Sequence, residues 1–480
     1  MLQRILLLAL TSPVLVVFQT LLCFTMRVAQ KRDRAPLPEL AESGRRLLLA
    51  DRISSTAGGQ LLRTVRVDRL IVFLIAGSLT AGCSTVVRTA DRVMNPVERS
   101  GPYNVPEELD RFHGTLLVAD LHADTLMLDR GGIYGMQRRQ SVGHADVPRL
   151  MDGNVGFQVL TVASVTPVPY IVQFNGGPVN GIAALAMAQG WPRDTWTSPR
   201  ARALYQATKW RANTAGPDLV PIRNRKDFES FLELRYRETT QGIWTNSAFR
   251  RRPVATLLGL EGAHAFELKA DATDAQIRAR VDEFWNAGFR SFALTHRFNN
   301  NLAGASEGSS DRGLTPLGRR VLAVLVDRGA IIDLAHASSN TISEVLDAAP
   351  SAPVWISHTG VHLPDLPSGN AQPKRQTSIK DAQAIANRNG LVGIGLWPEA
   401  AGASDVTWVA NMISGCVQRI GVDAVCLGSD MDGAVKAAFD ASGWPLLTQE
   451  LKSRALRDED IRKIMGSNVA RFLLQNLPEE

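Results

Sequence analysis

The stretch TLLVADLHAD, residues 115–124, passes from an apolar run directly into closely spaced aspartate and histidine side chains. Seven further apolar runs follow it, at 155–163, 254–261, 291–296, 330–336, 354–358, 391–397 and 424–430. These runs are almost continuously apolar rather than alternating, which is typical of parallel strands that are covered on both faces. The sequence therefore predicts parallel β-structure with helices between the strands.

The segments between the runs carry helix signals. Thr273 and Gln276 have the spacing of a capping box, and Gly288 follows at the carboxyl end of the same segment. Thr315 and Pro316 begin a second helix with one apolar face. Eight strand–helix repeats over 111–480 predict an α/β fold, a (β/α)8 TIM-type barrel. An open doubly wound sheet is the alternative.

The longest insertion in the predicted barrel is 164–253, between the second and third strands. We expect this insertion to form a lid or a partner surface, since it contains Trp191, Trp196, Trp210 and Trp244.

Ionisable residues occur at six of the eight predicted strand ends. They are His122 with Asp124, then Glu261, His296, His336, His358 and Asp430. A single ionisable residue after a core strand means little, but six are hard to explain by packing. Because the carboxyl ends of the strands meet at one mouth of such a barrel, we expect these side chains to converge.

These residue types suit a metal centre. The candidate ligands are His122, Asp124, Glu261, His336 and His358. Histidine and carboxylate ligands without a thiolate favour zinc over manganese or cobalt. Two ions bridged by Glu261 could hold a bridging hydroxide and polarise a carbonyl, with Asp430 handling the proton. The sequence thus points to metal-assisted hydrolysis of an amide.

The remaining candidates are given structural roles. His113, His144 and His362 are predicted to lie on the surface or in loops, and His264 to be a satisfied structural histidine. Glu307 and Asp311 fall in a Gly/Ser-rich stretch that predicts a solvated turn. Gly393 and Gly395 lack the third glycine of a dinucleotide-binding loop.

Composition excludes several classes of function. The net charge is +6, but no dense basic run is interleaved with aromatic residues, which argues against nucleic-acid binding. The four cysteines form no CxxC pair, so a thiolate zinc site or a redox motif is not expected.

The N-terminus predicts export and anchoring. An apolar segment at 5–26 is long enough to span a bilayer. Residues 65–83 then resemble a bacterial lipoprotein signal that ends at Cys83, although Thr80 stands where such signals usually carry Leu. Residues 1–64 are either a real membrane helix with its extension or an over-extended reading frame. In both cases we expect 84–110, which contains Pro96, Gly101, Pro102 and Pro106, to be a linker. We also expect the domain to lie in the cell envelope, outside the cytoplasm.

Several short motifs, in order, resemble the membrane dipeptidase (renal dipeptidase) family, peptidase family M19. They are DLHAD at 120–124, GLEGA at 259–263, LTH at 294–296, DLAH at 333–336, ISH at 356–358, GSDMDG at 428–433 and IMGSNVAR at 464–471. The resemblance covers roughly 111–475, most of the chain.

The resemblance implies a binuclear zinc barrel that cleaves dipeptides, including some with a C-terminal D-residue. It implies that His122 and Asp124 bind one zinc, that His336 and His358 bind the other, and that Glu261 bridges them. Asp430 would be the general acid/base, and His296 would polarise the scissile carbonyl or stabilise the tetrahedral oxyanion.

For the substrate, the resemblance implies that Arg375 grips the free carboxylate, with Lys374 as its rival because Gln376 replaces the expected Asn. Trp397 stands where some relatives have Tyr near the substrate. Family relatives are often homodimers.

Two alternatives stay open at this point. One is another amidohydrolase-like reaction, such as lactam or acyl-amide hydrolysis, at the same metals. The other is an envelope-anchored binding protein with a decayed site.

Overall fold

The structure, a computed structural model, describes residues 84–166, 180–240, 252–454 and 456–479. The predicted segments 1–64 and 65–83, including Cys83, lie outside these residues. Within the described ranges, no helix combines the length and the apolar character that a membrane span requires.

Eight parallel strands close into a barrel. The described residues form ten strands, eight of them in the ring. In chain order they are β1 Val118–Ala123, β2 Val155–Ala163, β3 Leu219–Pro221, β4 Val254–Glu261, β5 Phe289–Ala293, β6 Ile331–Asp333, β7 Val354–Val361, β8 Gln376–Thr377, β9 Leu391–Ile394 and β10 Val425–Leu427. The ring runs β1-β2-β4-β5-β6-β7-β9-β10 and returns to β1, whereas β3 and β8 pair only with β4 and β7. The predicted (β/α)8 barrel is confirmed, and the closed ring excludes the open sheet.

Helices surround the ring. The described α-helices are α1 Ser84–Met94, α2 Glu107–Gly114, α3 Val147–Asp152, α4 Gly181–Ala188, α5 Pro199–Asn213, α6 Arg225–Thr240, α7 Asp274–Ala287, α8 Pro316–Asp327, α9 Ser339–Ala348, α10 Ile379–Ala386, α11 Pro398–Ala401, α12 Val406–Ile420, α13 Trp444–Ser453, α14 Asp458–Arg462 and α15 Asn468–Asn476. The predicted capping box is present in α7, where Thr273 and Gln276 each accept a backbone hydrogen bond from the other, and Gly288 ends the helix at φ 116°.

The barrel strands bury both of their faces. On β1, Val118 packs in the layer between strands and helices, whereas its neighbours Ala119 and Leu121 pack in a second cluster with α15. In that cluster Trp355 of β7 stacks on Phe472 of α15, with ring centroids 5.3 Å apart. This double burial is the physical reason for the continuous apolar runs.

The segment 84–110 is not the free linker that its Pro and Gly content predicted. Val87, Asp91 and Asn95 recur at helical spacing, and all three are buried. Val97 then forms a parallel β-bridge with Ala437. A helical face that can be buried, rather than Pro and Gly content, decides that this segment packs on the barrel.

The described part of the 164–253 insertion is built into the barrel wall. It forms α4, α5, β3 and α6. Trp210 of α5 is buried, and its Nε1 donates to Thr256 Oγ1 of β4 at 3.0 Å. Trp244 lies outside the described residues, so a lid formed by that part of the insertion stays a prediction.

Candidate metal centre

All seven predicted ionisable residues meet, buried, at the carboxyl-end mouth of the barrel. His122 lies in β1 and Asp124 follows that strand, Glu261 ends β4, and His358 lies within β7. His296, His336 and Asp430 lie three residues beyond the ends of β5, β6 and β10. The three predicted strands therefore end in loops beyond β5, β6 and β10. These loops still place the three side chains at the mouth of the barrel.

Glu261 is the centre of the cluster. Its Oε1 lies 2.9 Å from His336 Nε2, 3.6 Å from His358 Nε2 and 3.7 Å from His122 Nε2. Its Oε2 lies 3.5 Å from His296 Nε2. Glu261 is thus the carboxylate that the three predicted histidine ligands have in common, through Oε1, whereas Oε2 faces His296.

The potential ligand atoms form three overlapping groups, each within 4.8 Å. They are His122–Glu261–His358, Glu261–His296–His336 and His122–Asp124–Asp430. His122 and Glu261 each belong to two groups, so the donor set is one continuous cluster. The groups also include His296 and Asp430 beside the five ligands that the sequence predicted.

Two buried atoms test whether this cluster fits a metal. His122 Nε2 and Asp124 Oδ1 have no hydrogen-bond partner. A buried polar atom without a partner carries a desolvation cost that calls for an explanation. His122 Nδ1, by contrast, lies 3.2 Å from Ser357 Oγ, which leaves Nε2 aimed at Glu261, Asp124 and Asp430. The residues present therefore fit a divalent cation.

The electrostatics of the site also favour cation binding. Burial raises the pKa of Asp124 to about 8, with the charge of Asp432 adding to the effect. Burial likewise raises the pKa of Asp430 to about 7. Burial lowers the pKa of His336 and His358 well below the usual value, which keeps these rings neutral. Neutral imidazole nitrogens and carboxylate oxygens are ligands that zinc prefers. A bound cation would favour the ionised form of the two carboxylates, which burial alone disfavours.

His296 is oriented by the backbone. Its Nδ1 lies 2.9 Å from the Val165 carbonyl oxygen, which can only accept, so Nδ1 carries a proton. Burial lowers the pKa of His296 well below the usual value. Nε2 of the neutral ring therefore presents a lone pair, and it can donate to a substrate oxygen only when the ring is protonated.

The backbone is strained where the site is built. Four non-glycine residues there adopt left-handed φ values, namely His336 at 59°, Asp430 at 57°, Asp432 at 66° and Ala434 at 61°. Such residues are uncommon and persist only where their surroundings hold them.

Asp432 holds the loop 430–434 in place through its hydrogen bonds, and the sequence does not identify it as a functional residue. It accepts hydrogen bonds from Thr125 Oγ1 at 2.8 Å, from both terminal nitrogens of Arg130 at 2.6 and 2.8 Å, and from the His144 backbone N at 2.7 Å. His144 lies in a loop, one of the two predicted places, but not on the surface, because its ring is buried and Nδ1 accepts from the Asp432 N–H. No sequence spacing connects these residues.

Two other structural assignments also need correction. His113 is buried, with Nδ1 2.8 Å from Thr448 Oγ1 and Nε2 3.0 Å from the Gly153 carbonyl oxygen. Glu307 is not in a solvated turn, because its carboxylate contacts Arg297 and Arg375. It also lies 3.4 Å from His336 Nδ1, which accepts a hydrogen bond from Arg375 Nη1 at 2.6 Å.

The remaining assignments agree with the structure in part. His264 is half-buried, with Nε2 3.1 Å from Ser164 Oγ, but its Nδ1 has no hydrogen-bond partner, so the expected satisfied histidine is only half satisfied. His362 and Asp311 are exposed.

Arg375 rather than Lys374 faces the cluster. The side chain of Arg375 is 10% exposed, and Nη2 lies 3.9 Å from Asp430 Oδ2. Its guanidinium lies 5.3 Å from the ring of buried Trp397. Lys374 is exposed and donates to the Gly308 carbonyl at 3.4 Å. A cavity of about 390 Å³ joins both residues to His336 and His358.

Comparison with known proteins places this site in a family context. The model of the membrane dipeptidase family, peptidase family M19, matches residues 107–477. Dipeptidase verJ of Clonostachys rogersoniana is 30% identical over 243 residues, which cover 49% of this chain and 58% of that protein. Dipeptidase aclJ of Aspergillus oryzae is 30% identical over 230 residues, covering 46% and 51%. The chain thus spans little more than half the length of these relatives.

Solved structures agree on the fold. The probable dipeptidase PvdM from Pseudomonas aeruginosa is 18% identical with a TM-score of 0.59, over 77% of this chain and 97% of that one. A metallopeptidase from Rhodobacter sphaeroides, solved with a phosphinate mimic of L-Ala-D-Ala, is 20% identical with a TM-score of 0.54, over 75% and 99%.

Proposed function

Because the chain belongs to the membrane dipeptidase family, peptidase family M19, we propose that it is a dipeptidase that uses two zinc ions. The observation that carries this proposal is the buried cluster around Glu261, whose Oε1 faces His122, His336 and His358. Asp124 and Asp430 lie in an adjoining group around His122. His122 with Asp124 would hold one ion, His336 with His358 the other, and Glu261 both. Zinc, when bound, supplies a water nucleophile at neutral pH and polarises the scissile carbonyl.

Asp430 is the residue that we propose moves the proton. Its carboxylate lies 3.8 Å from His122 Nε2, so it borders the ligand cluster directly. The raised pKa that burial causes suits a group that takes a proton from the nucleophile and returns it to the leaving amine. His296 borders Glu261 from the opposite side, where Nε2 would donate to the substrate carbonyl oxygen once the ring is protonated.

Arg375 is the residue that we propose binds the substrate carboxylate. Its guanidinium borders the cavity, and Trp397 limits its movement on one side. A planar guanidinium can donate two parallel hydrogen bonds to a carboxylate. A dipeptide carries its free carboxylate next to the scissile bond, so a dipeptidase needs such a contact, whereas an acylase can act without one.

The first test is zinc content together with hydrolysis of L,L- and L,D-dipeptides by the detergent-solubilised full chain. L-Ala-D-Ala belongs in the panel because a relative was solved with its phosphinate mimic. We expect hydrolysis, its loss on chelation, and a fall in kcat of about 10²–10⁴-fold in Asp430→Asn with metal retained. Asp327→Asn, at an exposed ion pair on α8, is the matched control.

The outcomes separate the alternatives. Zinc without dipeptide cleavage would keep the site and transfer the function to another amidohydrolase-like reaction, such as lactam or acyl-amide hydrolysis. A chain that binds no metal would overturn the mechanism.

We also propose that the protein is exported and anchored in the cell envelope by lipid at Cys83. The support is the small-residue stretch before Cys83 together with the apolar run that precedes it. Mass spectrometry of the mature N-terminus tests this proposal. A lipidated Cys83 would support it, and a mature chain that retains residues 65–82 would contradict it.

A further inference from the structure

Residues 91–98, which we call the N-terminal strap, run beside the loop that carries Asp430. Asn95 Nδ2 donates to Asp91 Oδ1 at 2.9 Å, and Asn95 Oδ1 accepts from the Ala434 backbone N at 2.9 Å. Farther along, Glu98 N donates to the Ala437 carbonyl at 2.8 Å, and Ala437 N donates to the Pro96 carbonyl at 3.1 Å. The strap therefore pairs with the chain directly after Asp430.

A buried chain of charges continues this contact. Arg130 Nε and Nη2 donate to the two carboxylate oxygens of Asp91 at 2.6 and 3.0 Å. The terminal nitrogens of the same guanidinium donate to Asp432 at 2.6 and 2.8 Å. Both carboxylates are fully buried, and Arg130 is 4% exposed. Arg130 thus donates hydrogen bonds to both carboxylates, and its contact with Asp91 helps to hold the guanidinium that orients Asp432.

The loop 430–434 needs this support because its conformation is unfavourable by itself. Asp430, Asp432 and Ala434 alternate along the chain with left-handed φ values of 57°, 66° and 61°. Conformations of this kind cost about 1–3 kcal/mol each unless the surroundings compensate. Two of the three residues are held by the strap, Ala434 through Asn95 directly and Asp432 through Arg130.

The strap also lies outside the part of the chain that carries the family signature, which begins at residue 107. The partners that it contacts, Asp432, Ala434 and Ala437, lie inside that part.

We propose that the N-terminal strap is a positioning element for the loop 430–434, with Asp91 and Asn95 as positioning residues that hold Asp430 in its working orientation. The proposal rests on the proposed function, because it assigns the strap a role in proton transfer by Asp430. It predicts that weakening the strap lowers kcat while leaving KM, which depends on Arg375, nearly unchanged.

The test uses Asn95→Ala and Asp91→Asn in the full chain, with Asp327→Asn as the matched control. Hydrogen exchange of residues 432–438 is followed in chelated protein without substrate. We expect exchange there to become about tenfold faster in both strap variants, while exchange in β4 and β7 is unchanged. We also expect kcat of the zinc-loaded variants to fall by about 10-fold or more, as for other residues that support a metal site.

Asn95→Ala removes no charge and keeps the proposal testable if Asp91→Asn does not fold. Unchanged exchange at 432–438 in a folded Asn95→Ala variant would overturn the proposal, as would a rise in KM without a fall in kcat. The exchange measurement needs neither metal nor substrate. A wild-type chain that cleaves no dipeptide would therefore refute the function, whereas unchanged loop exchange would refute the inference about the strap.

Discussion

Replacing Arg130 with Met removes the guanidinium that lies between two buried carboxylates, those of Asp91 and Asp432. Breaking a buried ion pair by removing one partner costs about 3–5 kcal/mol, because the other charge is left uncompensated. Unfolding entropy of about 2 cal/mol/K per residue gives about 0.8 kcal/mol/K for the region 107–477. The expected fall in Tm is therefore about 4–6 °C.

The loss of Tm in Arg130→Met should become smaller as the pH falls. Burial opposes ionisation of Asp432, but the charge and hydrogen bonds of Arg130 outweigh it and hold the pKa of this carboxyl below its usual range. A depressed folded-state pKa stabilises the protein above the unfolded-state pKa of about 4, and this contribution is lost as the pH falls through the folded-state value. The difference in Tm between wild type and Arg130→Met should thus be largest near neutral pH and should narrow below about pH 4.

Calorimetry in the presence of chelator measures this difference without changes in metal occupancy. Arg278→Met is the control, since Arg278 pairs with Asp327 at the exposed surface and should shift Tm by no more than about 1 °C. An Arg130→Met variant that melts with the control would refute the reasoning. So would a difference that widens as the pH falls.

Three further predictions concern the site and the barrel. Arg375→Lys should raise KM for dipeptides about 10–100-fold, since a bidentate charged contact is lost, whereas steady-state kinetics of Lys374→Ala should stay within about twofold of wild type. Glu261→Gln should lose bound zinc by elemental analysis while circular dichroism stays native; full zinc occupancy would contradict a shared ligand. Gly428→Ala should lower Tm or solubility, because a Cβ there would lie 1.8 Å from the Ser357 carbonyl oxygen, and a native melting curve would contradict that contact.

Local patterns in the sequence determined the barrel and the composition of its mouth. Continuous apolar runs reflect strands buried on both faces, and the capping box at Thr273 forms between residues three apart. Placing Glu261 and His358 at strand ends was sufficient to predict that they meet, since parallel strands of a barrel deliver their carboxyl ends to one side. These inferences succeeded because each depends on neighbours in sequence or on a property of the whole fold class.

Tertiary structure alone decided which loops support that mouth. Arg130 joins Asp91, 39 residues before it, to Asp432, 302 residues after it, and no spacing in the chain records either pair. The burial of His144 and the contact of Glu307 with Arg375 depend in the same way on loops that meet only in the folded barrel. Residue type specifies what a side chain can bind, but the partner that compensates a buried charge is set by the path of the whole chain.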